Sequence, residues 1–178
     1  MTVGSSEAFA LFFEHNRGPV FRALLAGTLN RAAADDATAE AFARAYAHWD
    51  TVADHPNPRA WVLRVAWNYH RSSWRRWEGR WSAELPGPTP LAPEPWSDPD
   101  LVAAIRCLPQ GQREVIVLVA LGELTPAEVA GIVGKAVGTV RSQLFRARVA
   151  LRQALCEALA SAFHGVADGR GLVVKVPS

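Results

Sequence analysis

Leu124-Thr125-Pro126-Ala127-Glu128-Val129-Ala130-Gly131-Ile132-Val133-Gly134-Lys135-Ala136-Val137-Gly138-Thr139-Val140-Arg141-Ser142-Gln143-Leu144-Phe145-Arg146-Ala147-Arg148 is the stretch from which the rest of the chain is read. Thr125 suits a helix N-cap, Pro126 the first helical position, and Glu128 the third position of a capping box. Val129, Ile132 and Val133 give this first helix an apolar side. Gly134 can adopt the left-handed conformation that ends it. A second helix is predicted from about Val137, with Val137, Val140, Leu144, Ala147 and Leu151 at spacings of three and four. Arg141, Arg146, Arg148 and Arg152 lie mostly off that stripe, and no acid falls between Gly138 and Arg152. Two short helices, a tight glycine turn and a basic second helix form a helix-turn-helix pattern. Gly138, Thr139 and Ser142 keep its leading end slim enough to approach DNA. The bland alternative is an amphipathic helix pair with a solvated arginine face.

Outward from this stretch, the 178 residues, 49% of them hydrophobic, allow one domain or two small ones with real cores. The net charge of +2 is small, but its distribution is uneven. Between Arg59 and Arg80 stand Arg59, Arg64, Arg71, Arg75, Arg76 and Arg80 against the single acid Glu78. Two local basic patches on a near-neutral chain suit docking on two separate DNA segments. Trp61, Trp67, Trp74, Trp77 and Trp81 share that stretch and cannot all face one side of a helix. Stacking surfaces interleaved with phosphate-binding arginines are the chemistry of single-stranded DNA binding. The competing reading makes most of these tryptophans core.

Cys107 and Cys156 form neither a metal pattern nor a disulfide framework and are expected as buried reduced thiols. The histidines show no zinc spacing, and neither a metal nor a cofactor is expected. The longest apolar run, residues 115–121, is too short to span a membrane. The N-terminus carries no signal-peptide pattern, so a cytoplasmic protein without membrane insertion is expected.

Phe9, Phe12 and Phe13 predict a first helix starting near Ser5 or Ser6, interrupted at Gly18-Pro19 and resumed by Val20, Phe21, Leu24 and Leu25. Asp35 and Asp36 are expected to open the next helix as cap and first-turn acids. Its buried stripe would be Phe42, Ala45, Tyr46 and Trp49. Asp36, Glu40 and Arg44 recur on another face. A loop stiffened by Pro56 and Pro58 leads into an Arg- and Trp-rich helix with Val62, Val65, Ala66 and Tyr69 on one side. Residues 82–99 contain six prolines and read as a linker. Asp98-Pro99 then caps a short helix with Leu101, Val102 and Ile105. A helix from Gln112 to Leu121 closes at Gly122. After Ala160 a frayed tail, with room for a short strand, is expected.

The residues at this point resemble a known family. Leu108-Pro109, Gln112-Arg113-Glu114-Val115, Leu124 to Ala130, Val137 to Ser142 and Phe145 to Arg148 are similar to region 4 of bacterial sigma factors of the extracytoplasmic-function group. Residues 34–42, 44–46 and 58–68 resemble region 2 of the same group. The resemblance covers about residues 9–159. It implies an all-α chain of two small helical domains: a region 2-like domain at residues 5–81, a Pro-rich linker at 82–98, a region 4-like domain at 99–160, and a flexible tail at 161–178. It also implies a dissociable subunit of RNA polymerase that selects and melts promoters. Core RNA polymerase and promoter DNA are the implied partners, with an anti-sigma protein as a further one.

By the same resemblance, Asp35, Asp36, Glu40, Arg44 and Trp49 would dock on the polymerase clamp helices. His55, Asn57, Arg59, Trp61, Arg64, Asn68 and Arg71 would open the minus-ten element and hold a flipped base. Thr139, Arg141, Ser142, Gln143, Phe145 and Arg146 would read the minus-thirty-five element in the major groove. Three positions depart from the family pattern: Ala39 replaces a glutamine of the docking helix, Ala136 a serine cap, and Gln143 a basic residue. Gln143 keeps the ability to pair with adenine.

Other functions fit less well. A DNA-binding response regulator has a similar C-terminal four-helix domain but needs an α/β receiver or a ligand domain, where this chain has helices rich in Arg and Trp. No glycine-rich phosphate loop, metal constellation or nucleophile–base motif supports an enzyme, and no catalytic residue is expected. A decoy that binds polymerase but not DNA is disfavoured by the intact Arg141-Ser142 and Arg146.

Overall fold

The computed structural model describes the backbone of residues 3–78 and 98–167 and the side chains of residues 5–73 and 98–160. Among these residues the elements are eight α-helices and no strand. They are α1 (Val3–Thr28), α2 (Arg31–Ala47), α3 (Trp49–Ala53), α4 (Pro58–Glu78), α5 (Pro99–Cys107), α6 (Gln110–Ala120), α7 (Pro126–Val133) and α8 (Val137–Ala167). The Pro-rich stretch from Pro86 to Pro95, the side chains of the arginines and tryptophans from Trp74 to Trp81, and the strand expected near the C-terminus lie outside the described residues.

Helix α1 is continuous through Pro19, where a break was expected. A proline inside a helix removes one hydrogen bond and costs about 3 kcal/mol. The apolar stripe explains why the helix survives. Phe9, Phe13, Val20, Leu24 and Gly27 follow one another at helical spacing across Pro19, and both sides pack on the same core. Helix α2 also starts earlier than expected. Its cap is Asn30, whose side chain accepts from the Ala33 N–H at 3.0 Å, and Asp35 lies one turn inside, 3.9 Å from Arg31. Phe42, Ala45 and Trp49 are buried as expected, whereas Tyr46 is 46% exposed at the margin, its ring edge-on to Phe9. Trp49 opens the separate helix α3 and packs on Phe9 and Phe12, with ring centroids 5.2 and 5.0 Å away.

Helix α6 begins two residues before the expected Gln112. Helix α8 runs past the expected end at Ala160, through Gly165 to Ala167. The Ala- and Leu-rich turns up to Ala160 favour helix and carry it on, and one glycine costs only about 1 kcal/mol. Both cysteines are exposed, against the expectation of buried thiols. Cys107 is the last residue of α5, and Cys156 lies on an outward face of α8 beside exposed Arg152, Gln153 and Glu157.

Helices α1, α2, α3 and α4 pack as one group and α5, α6, α7 and α8 as another, and the described residues of both share one core. The seam runs along α1·α6 and α4·α7. Trp67 of α4, 1% exposed, is its largest side chain, and Gly27 of α1 leaves the space that the Trp67 ring and Val117 of α6 fill.

Candidate nucleic-acid interface

The helix-turn-helix is built from local signals. Thr125 Oγ1 accepts from the Glu128 N–H at 3.3 Å, and Glu128 Oε2 accepts from the Thr125 N–H at 2.8 Å, so the capping box is complete. Gly134 ends α7 at φ 67, donating to Ala130 O at 2.9 Å, and the Lys135 N–H donates to the same carbonyl at 3.2 Å. The chain then turns into α8, whose first backbone bond runs from the Val140 N–H to Ala136 O. Val140, Leu144 and Ala147 are buried, with Val137 and Leu151 packed at the edge, so one side of α8 is fixed to the core.

The opposite side is free. Thr139, Arg141, Ser142, Phe145 and Arg146 are all exposed, and Phe145 presents 69% of its surface to solvent. An exposed phenylalanine between two arginines offers the kind of apolar surface that contacts a thymine methyl. Gln143 stands apart from this group. It is half-buried, its Oε1 accepts from Lys135 Nζ at 3.3 Å, and its amide lies over Gly111 at the start of α6. The side chain expected to pair with adenine is turned back towards the bundle.

The second basic region is divided by the seam. Arg64 and Asn68 are exposed on α4, one helical turn apart. With Arg44, Tyr69, Arg71 and Ser72 they line one wall of a cleft of about 600 Å³, whose other wall is Gly131, Ile132 and Gly134 of the helix-turn-helix. Asn57 caps α4, its Oδ1 accepting from the Ala60 N–H at 3.1 Å, while its Nδ2 donates to Glu128 Oε1 at 2.7 Å. His55 is exposed and its Nδ1 accepts from the Asn57 N–H at 3.0 Å, which fixes the corner. Arg59 Nε donates to Asn16 Oδ1 at 2.7 Å, and its Nη1 lies 2.6 Å from Glu123 Oε2. Arg71 donates to Glu114 Oε2 and to Val133 O, both at 3.0 Å. Trp61 is half-buried against the core, and Trp67, the other tryptophan expected to offer a flat surface to DNA, is core.

His70 and Glu128 are among the titratable groups that the seam perturbs. Burial pushes the His70 imidazole below its ordinary value; Glu114 opposes that shift and Arg71 adds to it. Burial alone would raise the Glu128 carboxyl. Hydrogen bonds from the backbone and side chain of Thr125 and from Asn57, with the His55 charge, outweigh it and hold the group below the usual carboxylate range.

On α2, Asp35 and Asp36 are exposed, and Glu40 pairs with Arg44 at 2.7 Å. Trp49 does not join that face, because it is 6% exposed beneath α1. Beside it, Phe9, Phe13, Phe21 and Phe42 line an open groove between α1 and α2. Sequence reasoning passed over Glu114, Glu123 and Glu128 as partners of Arg71, Arg59 and Asn57. Glu114 and Glu128 stand inside the matched motifs, but nothing local marks them as partners of residues dozens of positions away. Among the described residues no group of His, Cys, Asp and Glu is arranged to hold a metal ion, and no helix is long and apolar enough to cross a membrane.

Comparisons with known proteins fall on the same two halves. The family model described as Sigma-70 region 2 matches residues 12–80, and that described as Sigma-70, region 4 matches residues 100–151. The ECF RNA polymerase sigma factor EcfG of Rhodopseudomonas palustris is 33% identical over 138 residues, 72% of this chain and 73% of that protein. The RNA polymerase sigma-E factor of Streptomyces coelicolor is 33% identical over 129 residues, 68% of this chain and 71% of that protein. Among solved structures, the sigma factor RpoE of Bartonella quintana, determined in complex with the anti-sigma factor NepR, shares the fold with a TM-score of 0.67 at 21% identity. That match covers 84% of this chain and 97% of the other. CnrH, determined with the cytosolic domain of CnrY, shares it with a TM-score of 0.54 at 23% identity, over 86% and 90% of the two chains.

Proposed function

Because this chain belongs to the extracytoplasmic-function group of RNA polymerase sigma factors and so acts in transcription initiation, we propose a division of labour between its halves. The exposed face of α2, carrying Asp35, Asp36, Glu40 and Arg44, docks on core polymerase. The α3–α4 corner and α4, with His55, Asn57, Arg59, Trp61, Arg64, Asn68 and Arg71, open the minus-ten element. The free side of α8 reads the minus-thirty-five element through Thr139, Arg141, Ser142, Phe145 and Arg146. The observation that carries this reading is α8 itself. Val140, Leu144 and Ala147 of its apolar stripe are buried, and Arg141 and Arg146 flank an exposed Phe145 on the other side. Arginine pairs bidentately with guanine, and such a pair contributes about 1–3 kcal/mol of discrimination.

The chain's part in opening DNA is binding, not bond chemistry. Strand separation needs a site that compensates lost stacking, a few kcal/mol per flipped base. Arg64 and Asn68 present a cation and an amide at the open edge of the cleft, where a displaced strand can be met. One structural neighbour was solved with the anti-sigma factor NepR and another with the cytosolic domain of CnrY, which supports an anti-sigma protein as a partner here too. A sigma factor of this kind works in the bacterial cytoplasm.

Arg64→Ala tests the melting site more cleanly than Asn57→Ala, which would also remove the α4 cap. The variant should bind core polymerase normally. Permanganate footprinting on a supercoiled promoter should show reduced open-complex formation. An unchanged footprint would move the melting site away from α4.

A further inference from the structure

Of the six side chains expected to read the minus-thirty-five element, Thr139, Arg141, Ser142, Phe145 and Arg146 are exposed and Gln143 is half-buried. The Oε1 of Gln143 accepts from Lys135 Nζ at 3.3 Å, which ties the turn of the helix-turn-helix to the flank of α8. We propose that Lys135 contacts a DNA phosphate at the edge of the minus-thirty-five face, and that Gln143 is its positioning residue and reads no base. The inference rests on the assignment of α8 to minus-thirty-five DNA.

Charge and place both favour this role. Among the described residues no carboxylate pairs with Lys135, and no acid stands between Gly138 and Arg152. An ammonium has three donors, and Gln143 takes one of them. The amide oxygen holds the ammonium and leaves its full charge for a phosphate, whereas a carboxylate at the same position would cancel that charge. Gln143 lies one turn from Thr139 and from Arg146, yet next to the buried Leu144, so the pair sits on the flank of α8. The major groove, about 12 Å wide, is little wider than a helix with its side chains. A helix lying in it turns its outer side to the base edges and its flanks to the sugar–phosphate walls. The flank therefore meets a phosphate more readily than a base. On the other side the pair rests on the start of α6. A Cβ on Gly111 would stand 2.9 Å from Gln143 Nε2 and 3.1 Å from Lys135 Nζ, so the glycine leaves room for both head groups. The first turn of α6 also carries the positive end of the helix dipole, where an ammonium gains from a joining anion. A competing reading makes Lys135 only a favourable cation behind the C-terminus of α7, its N–H donating to Ala130 O. That reading does not account for the reach of its head group to Gln143 and Gly111.

The test uses the full-length chain bound to core polymerase and a fluorescein-labelled duplex selected by that holoenzyme from a random-sequence pool. Dissociation constants are read by anisotropy over a series of salt concentrations. Lys135→Ala should weaken binding about three- to tenfold and flatten the plot of log Kd against log salt by about 0.9, the loss of one phosphate contact. It should weaken every single-base variant of the distal motif by the same factor. Lys135→Arg should keep both the affinity and the slope. Gln143→Ala should weaken binding without altering preference at any base pair, and should cost nothing further in the Lys135→Ala background. An unchanged affinity and slope in Lys135→Ala overturns the proposal, as does loss of preference at one base pair in Gln143→Ala. A lowered urea midpoint in Lys135→Ala with the salt slope unchanged also overturns it, by giving the pair a structural role alone. Arg146→Ala, measured in parallel, separates the two readings. If it relaxes base preference while Lys135→Ala does nothing, only the phosphate contact fails. If neither variant changes binding, the minus-thirty-five reading of α8 falls with it.

Discussion

At Gly27 the missing side chain lets α1 lie against both Trp67 of α4 and Val117 of α6. A Cβ there would overlap the Trp67 ring and stand 3.2 Å from Val117 Cγ2. Alanine gains up to about 1 kcal/mol in helix propensity, but overpacking against a rigid, buried indole costs about 1–3 kcal/mol. Gly27→Ala should therefore lower the stability of the chain by about 1–2 kcal/mol in urea unfolding. A more stable variant would show that the seam is loose at this point. The sequence showed that the tryptophans could not all share one face, but not which of them was core. Periodicity along α4 identifies Val62 and Ala66 as buried, whereas the depth of Trp67 depends on a glycine forty residues earlier. Burial at Trp49 and exposure at Cys107 and Cys156 have the same origin, in how helices pack on one another.

The helix-turn-helix was legible at the level of elements because every signal in it is local. Thr125, Pro126, Glu128 and Gly134 define α7 within ten residues, and the stripe of Val140, Leu144 and Ala147 orients α8. The cap of α8 is the weak point. Ala136 occupies the position before Val137, its carbonyl begins the backbone ladder, and its methyl side chain can accept no hydrogen bond. Ala136→Ser should raise stability by about 1 kcal/mol, seen as a higher denaturation midpoint with an unchanged slope. No gain would mean that the first turn of α8 is already satisfied by another donor–acceptor arrangement. Elements governed by packing were harder to read. Pro19 suggested a break, yet core contacts on both sides carry α1 through it. Asp35 and Asp36 looked like a helix start, yet Asn30 caps α2 a turn earlier.

At the scale of the molecule, the sequence pointed to two basic regions on either side of a Pro-rich stretch, and the helices expected to carry them are present as α4 and α8. Their relation in space could not be read, because ion pairs and hydrogen bonds between residues 43 to 71 positions apart leave no periodic trace. The seam places Asn57, Arg59 and Arg71 against acids while the arginine-bearing face of α8 stays open, so the two proposed DNA-binding surfaces differ in their readiness. The central claim is that this chain selects promoters through both halves. It is tested most directly by adding the purified chain to core polymerase on fragmented genomic DNA and sequencing the 5′ ends of the transcripts. New start sites should appear only with the chain and share two upstream motifs at a constant spacing. Arg146→Ala should relax the more distant motif while leaving the nearer one intact. The absence of chain-dependent starts, or starts sharing no distal motif, would contradict the account.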